Sequence, residues 1–505
     1  MAFEPVFEVV KINSKRRLAK TQAVVEAKLL PAPNTVIARV LSITADSVIG
    51  ASEVFTGEIR YNGRVNFKVL FVDVDGHNHS MDYNADFSDK LEDAAITSHI
   101  TPYITADVLD TDVLSVSAGE LKLASVVEIK LDAVMEEEVK YLSSGGEGLY
   151  THDDNVEYSR LVASGSGAVT LSATLPDVKI VSILLAEHKA VVNSRSAGVD
   201  SVRVEGVVIS DICGETADGL IASYRVETPF SEEFGAADAR PSDIVLAYSS
   251  VSGTSTLETD GEVNAVVNEY ALKVDYCVYT DASFSVITDA FSVTHELLTT
   301  TESVNILKPA LNETVTDRVE GNVTLEVNMP IVDNILAATA LRLNVTNVVA
   351  LDGEALIEGI VSGNIIYYSA EADSKNSVAV ELPFSLKSPV SGISEGDEII
   401  ACGEVTAVTL KIRRGNEIDI RADICVEIQA SSPVTKCIIT ELTQGEMREL
   451  PSSAISIHIA KSGETLWDVA KALGSTPELV MLQNPDITLP LSGGERVIVY
   501  RHLTK

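Results

Sequence analysis

The stretch Leu30-Pro-Ala-Pro-Asn-Thr-Val-Ile-Ala-Arg-Val-Leu41 recurs twice further along the chain, in degenerate copies that begin at Leu175-Pro176 and at Met329-Pro330. A glycine inside a strand-like run follows each copy, and the three glycines are Gly57, Gly206 and Gly359. The spacings from proline to glycine are 26, 30 and 29 residues. Similar spacing between similar segments indicates repeated structural units. The sequence therefore predicts three repeats of about 150 residues.

A second shared segment lies downstream of each glycine. Thr228-Pro-Phe-Ser231 matches Leu382-Pro-Phe-Ser385, and a degenerate Asp86-Phe-Ser88 takes the same place in the first copy. In every copy a turn-rich insert separates two alternating runs, at residues 75–80, 214–219 and 371–376. Alternation of β-branched and polar residues is typical of half-buried antiparallel strands. We therefore predict a mainly β chain of three tandem antiparallel repeats, each sandwich-like or barrel-like.

Shifts in composition suggest the domain boundaries. The predicted segments are repeat 1 with a basic N-terminal arm (1–142), a flexible Gly/Ser-rich linker (143–165), repeat 2 (166–300), repeat 3 (301–450) and a small C-terminal domain (455–500). The arm carries Lys11, Lys15, Arg16, Arg17 and Lys20. This cluster either keeps the arm soluble or docks on an acidic partner or on a neighbouring copy of the chain.

The charge balance restricts the possible partners. With 38 Lys+Arg against 74 Asp+Glu, the formal net charge is -36, so the chain repels phosphate backbones and we expect no nucleic-acid binding. No apolar run approaches the roughly 18 residues of a transmembrane segment, and no secretory signal is visible. The five cysteines form no C-x-x-C pair, which suits a reducing, cytoplasmic compartment.

The last fifty residues follow a different pattern. Residues 455–460 alternate as a strand, and an apolar stripe at helical spacing follows: Leu466, Val469, Ala470 and Leu473. Thr465 and Asp468 resemble a capping box, and Thr476-Pro477 is typical of a second helix start. Residues 496–500 read as a closing strand. The order strand, helix, helix, strand predicts a small α+β (βααβ) domain.

Three blocks of this tail together resemble a LysM module: Lys461-Ser-Gly-Glu-Thr-Leu-Trp-Asp-Val-Ala470, Leu482-Gln-Asn-Pro485 and Leu491-Ser-Gly-Gly-Glu-Arg-Val-Ile-Val499. Glu464 departs from the family pattern, in which aspartate is usual. The resemblance implies a groove that binds N-acetylglucosamine-containing glycan or a protein, lined by Ser462, Gly463, Glu464, Thr465, Leu466, Asn484, Pro485, Asp486 and Ile487. Turns and helix caps need several of the same residues. We include Trp467, the only tryptophan, as either a partly exposed contact or a core residue.

Three β-rich repeats followed by one LysM module are similar to the SipL family of clostridial spore-coat morphogenetic proteins. The resemblance implies a non-enzymatic adaptor in the mother-cell cytoplasm, at the forespore surface. Its LysM domain would engage the coat-basement ATPase SpoIVA and promote encasement of the forespore. The alternative is a peptidoglycan-binding protein whose LysM domain recognises N-acetylglucosamine at the cell wall or spore cortex.

Other chemistry has weaker support in the sequence. Gly392-Ile-Ser394-Glu-Gly396 fits the G-x-S-x-G pattern of a hydrolase, but a strand-like run follows it where that motif needs a helix. His77 and His79, near Asp73 and Asp75, could hold a metal, but the equivalent turns of the other copies lack ligand residues, so a polar turn is expected. The phosphate-binding G-x-x-x-x-G-K-[ST] sequence does not occur. We expect no enzyme activity, metal or cofactor.

Overall fold

The computed structural model describes residues 4–97, 100–117, 119–260, 263–448 and 454–500. Strands dominate, which confirms the mainly β prediction, and the two helices of the described ranges lie near the C-terminus. The elements, in chain order, are β1 (Val6–Leu29), β2 (Ile37–Phe55), β3 (Glu58–Asp73), β4 (Asn78–Glu92), β5 (Thr101–Ser117), β6 (Glu120–Ser144), β7 (Tyr150–Val178), β8 (Ile180–Ala197), β9 (Ser201–Thr216), β10 (Ile221–Gly235), β11 (Ile244–Asp260), β12 (Val263–Phe291), β13 (His295–Thr324), β14 (Asn334–Leu351), β15 (Glu354–Ser369), β16 (Ser374–Pro389), β17 (Glu398–Arg414), β18 (Glu417–Met447), β19 (Ile455–Ile459), α1 (Leu466–Leu473), α2 (Pro477–Gln483) and β20 (Arg496–Tyr500).

One strand order occurs three times among the first eighteen strands. In unit 1 (β1–β6), one sheet has the order β1-β6-β5 and the other β2-β3-β4. Unit 2 (β7–β12) has β7-β12-β11 and β8-β9-β10, and unit 3 (β13–β18) has β13-β18-β17 and β14-β15-β16. All of these pairs are antiparallel. The two sheets of each unit enclose one hydrophobic core, as apolar faces of sheets must be covered.

A glycine opposite a phenylalanine marks the middle strand of the second sheet in each unit. Gly206 pairs with Phe230, Gly359 pairs with Phe384, and in unit 1 the pair is Gly63 with Phe87. The prediction that Gly57 is the equivalent glycine is wrong. Gly57 lies in the turn between β2 and β3, where its φ of 84° is one that glycine adopts at little cost.

Long strands extend past the unit cores and connect the units. The pairs β1/β6, β7/β12 and β13/β18 pack together through one apolar cluster, to which all six strands contribute: Ile12, Tyr141, Tyr158, Val286, Ile306 and Ile438. Residues 143–165, predicted as a flexible linker, contribute to two of these strands. Only residues 145–149 connect β6 to β7, and the rest of that range is hydrogen-bonded strand.

The units also meet at the opposite end, near the hairpin turns of β3/β4, β9/β10 and β15/β16. An apolar cluster there combines side chains of all three units, among them Leu41, Leu184 and Leu336. Three basic side chains reach carbonyl oxygens of another unit, so that the contacts run in a ring: Lys68 to Ala186 (3.1 Å), Arg225 to Thr406 (2.5 Å) and Arg342 to Ala45 (2.6 Å). The three units therefore surround a shared junction.

The basic N-terminal arm is a strand of the first sheet. Lys20 Nζ lies 2.8 Å from Glu128 Oε1, and Arg17 pairs with Asp132, both on β6. Glu136 and Glu138, further along β6, take part as well, since both pair with Lys11, whose Nζ lies 3.6 Å from a Glu138 oxygen. Lys11, Arg16, Arg17 and Lys20 are thus paired with carboxylates of β6. An exposed pair such as that of Lys11 with Glu138 adds little stability.

All five cysteines are free thiols, which agrees with the sequence prediction. Cys213, Cys277 and Cys425 are buried. Within the described ranges, neither helix has the length and apolarity of a membrane span.

Candidate functional site

The C-terminal unit, residues 454–500, has the predicted order of strand, helix, helix and strand. The Thr465 hydroxyl accepts a 3.2 Å hydrogen bond from the Asp468 N–H, and the Asp468 carboxylate accepts a 2.9 Å bond from the Thr465 N–H. This reciprocal capping box fixes the start of α1. Gly474, in the left-handed region, ends α1, and the Thr476 hydroxyl caps α2. The local signals in the sequence therefore predicted both helix starts correctly.

The two loops of the predicted groove lie against each other. Gly494 N–H donates to the Ala460 carbonyl at 2.7 Å, and Ala460 N–H donates to the Glu495 carbonyl at 2.9 Å. The predicted groove residues differ in exposure. Those exposed are Ser462, Gly463, Thr465, Pro485 and Asp486, those half-buried are Glu464, Leu466 and Ile487, and the buried one is Asn484.

The polar side-chain atoms of Glu464 and Asn484 make hydrogen bonds within the C-terminal unit. Glu464 Oε2 accepts hydrogen bonds from His458 Nε2 (2.9 Å) and from the Lys461 N–H (2.8 Å). The bond from His458 is the main cause that lowers the pKa of Glu464. The longer carboxylate at position 464 thus ties the first loop to β19.

Asn484 ties the end of α2 to the closing strand. Its side-chain amide donates to the carbonyls of Val480 (2.8 Å) and Ile498 (2.7 Å), and its Oδ1 accepts from the Ile498 N–H (2.8 Å). A buried amide with these bonds made is a structural residue. Among the predicted groove residues, the polar side chains exposed to a ligand are those of Ser462, Thr465 and Asp486. The Thr465 hydroxyl already caps α1.

Trp467, which we included with the predicted groove, instead lies between the C-terminal unit and unit 2. Its indole N–H donates to Asp289 Oδ2 at 2.7 Å, and its ring meets Phe291 edge to face with centroids 4.8 Å apart. Lys471, one turn further along α1, pairs with the same Asp289 at 2.7 Å. The structure therefore docks α1 on the end of β12, and the Trp467 ring is engaged within the chain.

The outer face of the β19/β20 sheet is exposed and, apart from Arg496 opposite Ile459, apolar. Ile455, Ile457 and Ile459 are 52%, 62% and 63% exposed, and Tyr500 is 52% exposed. Ile455 pairs with Tyr500 across the sheet, so the side chains of both point to the same face. We call Ile455, Ile457, Ile459, Ile498 and Tyr500 the outer face.

Sequence reasoning missed the outer face. Alternation in residues 455–459 shows that the isoleucines share one side of the strand, and an amphipathic strand usually buries that side. In the structure the buried residues of the sheet are Val497 and Val499, which pack against the helices. Their positions in β20 force the isoleucines of β19 outward, because Val497 pairs with His458 and Val499 with Ser456.

Ser394 lies in a turn, as the sequence predicted. Its backbone N–H donates to the Asp397 carboxylate at 2.8 Å, and β17 begins at Glu398, directly after Asp397. A hydrolase elbow needs a helix at this point. The local fold therefore differs from that of a nucleophile elbow.

Comparison with known proteins gives one family. Two segments, residues 36–115 and 332–413, match the family model described as SipL, SPOCS domain. No curated protein and no solved structure matches the chain. The first segment begins just before β2 and ends in β5, and the second begins just before β14 and ends in β17. The matches fall on the same four strands of units 1 and 3, so these two segments are similar to the SPOCS domain of the SipL family.

Proposed function

We propose that the chain is a non-enzymatic spore-coat assembly adaptor. Its C-terminal unit, which resembles a LysM module, binds the coat-basement ATPase SpoIVA and so promotes encasement of the forespore from the mother-cell cytoplasm. The SPOCS-domain matches in units 1 and 3 support a role in the spore coat. The ATPase as partner rests on the resemblance to the SipL family.

The exposed outer face is the observation that carries a protein-binding function. Contiguous apolar surface on a folded chain is typical of a protein interaction site. Each apolar side chain that a partner covers contributes roughly 25 cal/mol per Å² removed from water. The α1 side of the same unit is occupied by unit 2 through Trp467 and Asp289, whereas the outer face is open. Leu479, Met481 and Leu482 of α2 are exposed as well, and the outer face differs from them in placing its apolar side chains on one strand pair.

The docked arrangement suits an adaptor. Asp289 holds both Trp467 and Lys471, and Arg448 donates to the Lys471 carbonyl at 2.9 Å. A partner on the outer face would consequently be held in a defined orientation relative to the three β units. Orientation of this kind is what a coat scaffold requires.

The glycan-binding alternative has fewer side chains available to contact a sugar. Glu464 and Asn484 are bonded within the unit, and the Trp467 ring, which could stack on a sugar, packs against Phe291. Residues 460–466 and 484–495, which form the two loops, contain no aromatic residue.

Calorimetric titrations of the full chain with purified SpoIVA and with a chitin oligosaccharide separate the two functions. We expect saturable binding to SpoIVA and no saturable heat with the sugar. Saturable sugar binding without SpoIVA binding would overturn the proposal and move the chain to a glycan surface.

A further inference from the structure

The hairpin between β3 and β4 carries a metal-ligand residue at every second position: Asp73, Asp75, His77 and His79. Ligand atoms of Asp73, Asp75 and His77 all lie within 4.8 Å of one another. His79 Nε2 lies 2.8 Å from Asp73 Oδ2, and His77 Nδ1 lies 3.5 Å from the same oxygen. The sequence favoured a plain polar turn, but the fold groups the ligand atoms of Asp73, Asp75 and His77, and His79 joins them through its contact with the Asp73 carboxylate.

Two of the four side chains are held in place before any ion binds. The Asp73 Oδ1 atom accepts hydrogen bonds from the backbone N–H groups of Asp75 (3.0 Å) and His77 (2.9 Å), which leaves Oδ2 to the histidines. The His79 ring stacks on the buried Phe71 ring with centroids 5.2 Å apart. A ligand set that is already oriented loses less conformational entropy on binding.

We propose that Asp73, Asp75, His77 and His79 form a binding site for a divalent transition-metal ion. Two imidazole nitrogens and two carboxylate oxygens are a donor set that zinc accepts in tetrahedral sites. Calcium and magnesium bind through oxygen ligands alone, so the two histidines select against them.

The position of the hairpin gives the site a structural consequence. Asn78, between the two histidines, donates to Glu215 Oε1 (2.8 Å) and to the Gly219 carbonyl (3.0 Å) of unit 2. Its Oδ1 accepts a 2.8 Å bond from Lys375 of unit 3. An ion bound at this hairpin would fix the segment through which unit 1 contacts both other units.

Titration of the metal-free full chain with zinc chloride tests the site. Isothermal calorimetry should show one tight site, and the unfolding temperature should rise with zinc concentration, because an ion that binds only the folded state stabilises it. Asp75→Asn and His77→Ala change exposed side chains and should each weaken zinc binding by about tenfold or more. Circular dichroism should be unchanged in both variants.

Glu371→Gln is the matched control, because it removes an exposed carboxylate from the equivalent hairpin of unit 3 and should leave zinc affinity unchanged. Zinc affinity equal to that of the parent chain in both Asp75→Asn and His77→Ala would overturn the proposal. So would the absence of saturable zinc binding in the parent chain, or calcium binding of equal affinity.

Discussion

Glu187 is a carboxyl group at the junction of the three units. Its Oε2 accepts a 2.9 Å hydrogen bond from the Ala340 N–H of unit 3. Burial is the largest influence on the group and, with the nearby charge of Asp46, raises the pKa of Glu187 to about 7, against the opposing effects of the Ala340 bond and of Lys189 and Arg342. A carboxyl group that titrates near neutral pH therefore lies at the contact between the units.

The raised pKa predicts how stability depends on pH. A glutamate in the unfolded chain titrates near pH 4.5, so between about pH 4.5 and 7 the folded chain holds a proton that the unfolded chain has released. This proton stabilises the folded chain fully below pH 4.5, and the contribution is lost as pH rises through 7.

Glu187→Gln keeps an oxygen acceptor for the Ala340 N–H and removes the titration. We expect the variant to be more stable than the parent chain by about 1–3 kcal/mol at pH 8 and nearly equal at about pH 4. Urea unfolding at the two pH values measures the difference. A stability difference that does not change with pH would contradict the assignment.

Residue types alone did not separate structural from binding residues in the C-terminal unit. An asparagine after a helix is as suitable for a ligand contact as for a cap, and only the bonds of Asn484 to Val480 and Ile498 identify its role. Trp467 was equally ambiguous, because Asp289, its hydrogen-bond partner, lies 178 residues away in sequence.

At the scale of elements, the glycine–phenylalanine pairs set how closely neighbouring strands pack. A Cβ atom added at Gly206 would overlap the Val191 carbonyl oxygen and approach the Phe230 ring to 2.7 Å. The same conflict arises at Gly63 and Gly359. Because one of the atoms in each conflict belongs to the backbone or to a packed ring, relief requires a strand to shift.

Gly206→Ala should destabilise unit 2 by about 1–3 kcal/mol, since overpacking forces side chains and backbone from their minima. The urea midpoint, followed by circular dichroism, measures the loss. Gly235→Ala is the control, because a Cβ atom there meets nothing within 4 Å. Equal midpoints for the two variants would refute the close-packing role of Gly206.

Strand and helix identity could be predicted because their signals are local. The hairpins, the caps at Thr465 and Thr476 and the αL residue Gly474 are each specified by a few neighbouring residues. Register could not be predicted. A glycine in an apolar run suits both a turn and a strand. The sequence pattern therefore points to Gly57 as the glycine opposite a phenylalanine, whereas in the structure that glycine is Gly63.

At the scale of the whole molecule, several polar contacts between units are made by single side chains that donate to a carbonyl far away in sequence. Lys68 and Arg342, for example, donate to backbone oxygens of other units. A backbone acceptor carries no residue signature, so composition and periodicity cannot reveal such contacts. The same holds for the docking of the C-terminal unit, which depends on Asp289 and Phe291 at the end of β12.

Removal of Asp289 should release the C-terminal unit from unit 2. In Asp289→Ala the Trp467 N–H and Lys471 lose their shared acceptor, and we expect docking to weaken by about 1–2 kcal/mol, with most of the loss from the indole bond, because the Lys471 pair is partly exposed. Fluorescence of Trp467, the only tryptophan, should shift to longer wavelength as the ring meets water.

Asp281→Ala provides the control on the same strand, where the carboxylate pairs with Lys308 and is 70% exposed. Its emission spectrum should match that of the parent chain. An unchanged spectrum in Asp289→Ala would mean that the C-terminal unit is not held by this contact.

The central claim is that the outer face of the C-terminal unit binds a protein, and the affinity of two full-length variants for SpoIVA tests it most directly. Ile457→Lys places a charge on the outer face, whereas Asp486→Ala removes an exposed side chain of the predicted groove. With Trp467 emission unchanged in both, we predict that Ile457→Lys binds about tenfold more weakly or worse and that Asp486→Ala binds like the parent chain. Full affinity in Ile457→Lys together with a loss in Asp486→Ala would contradict the claim and assign binding to the groove.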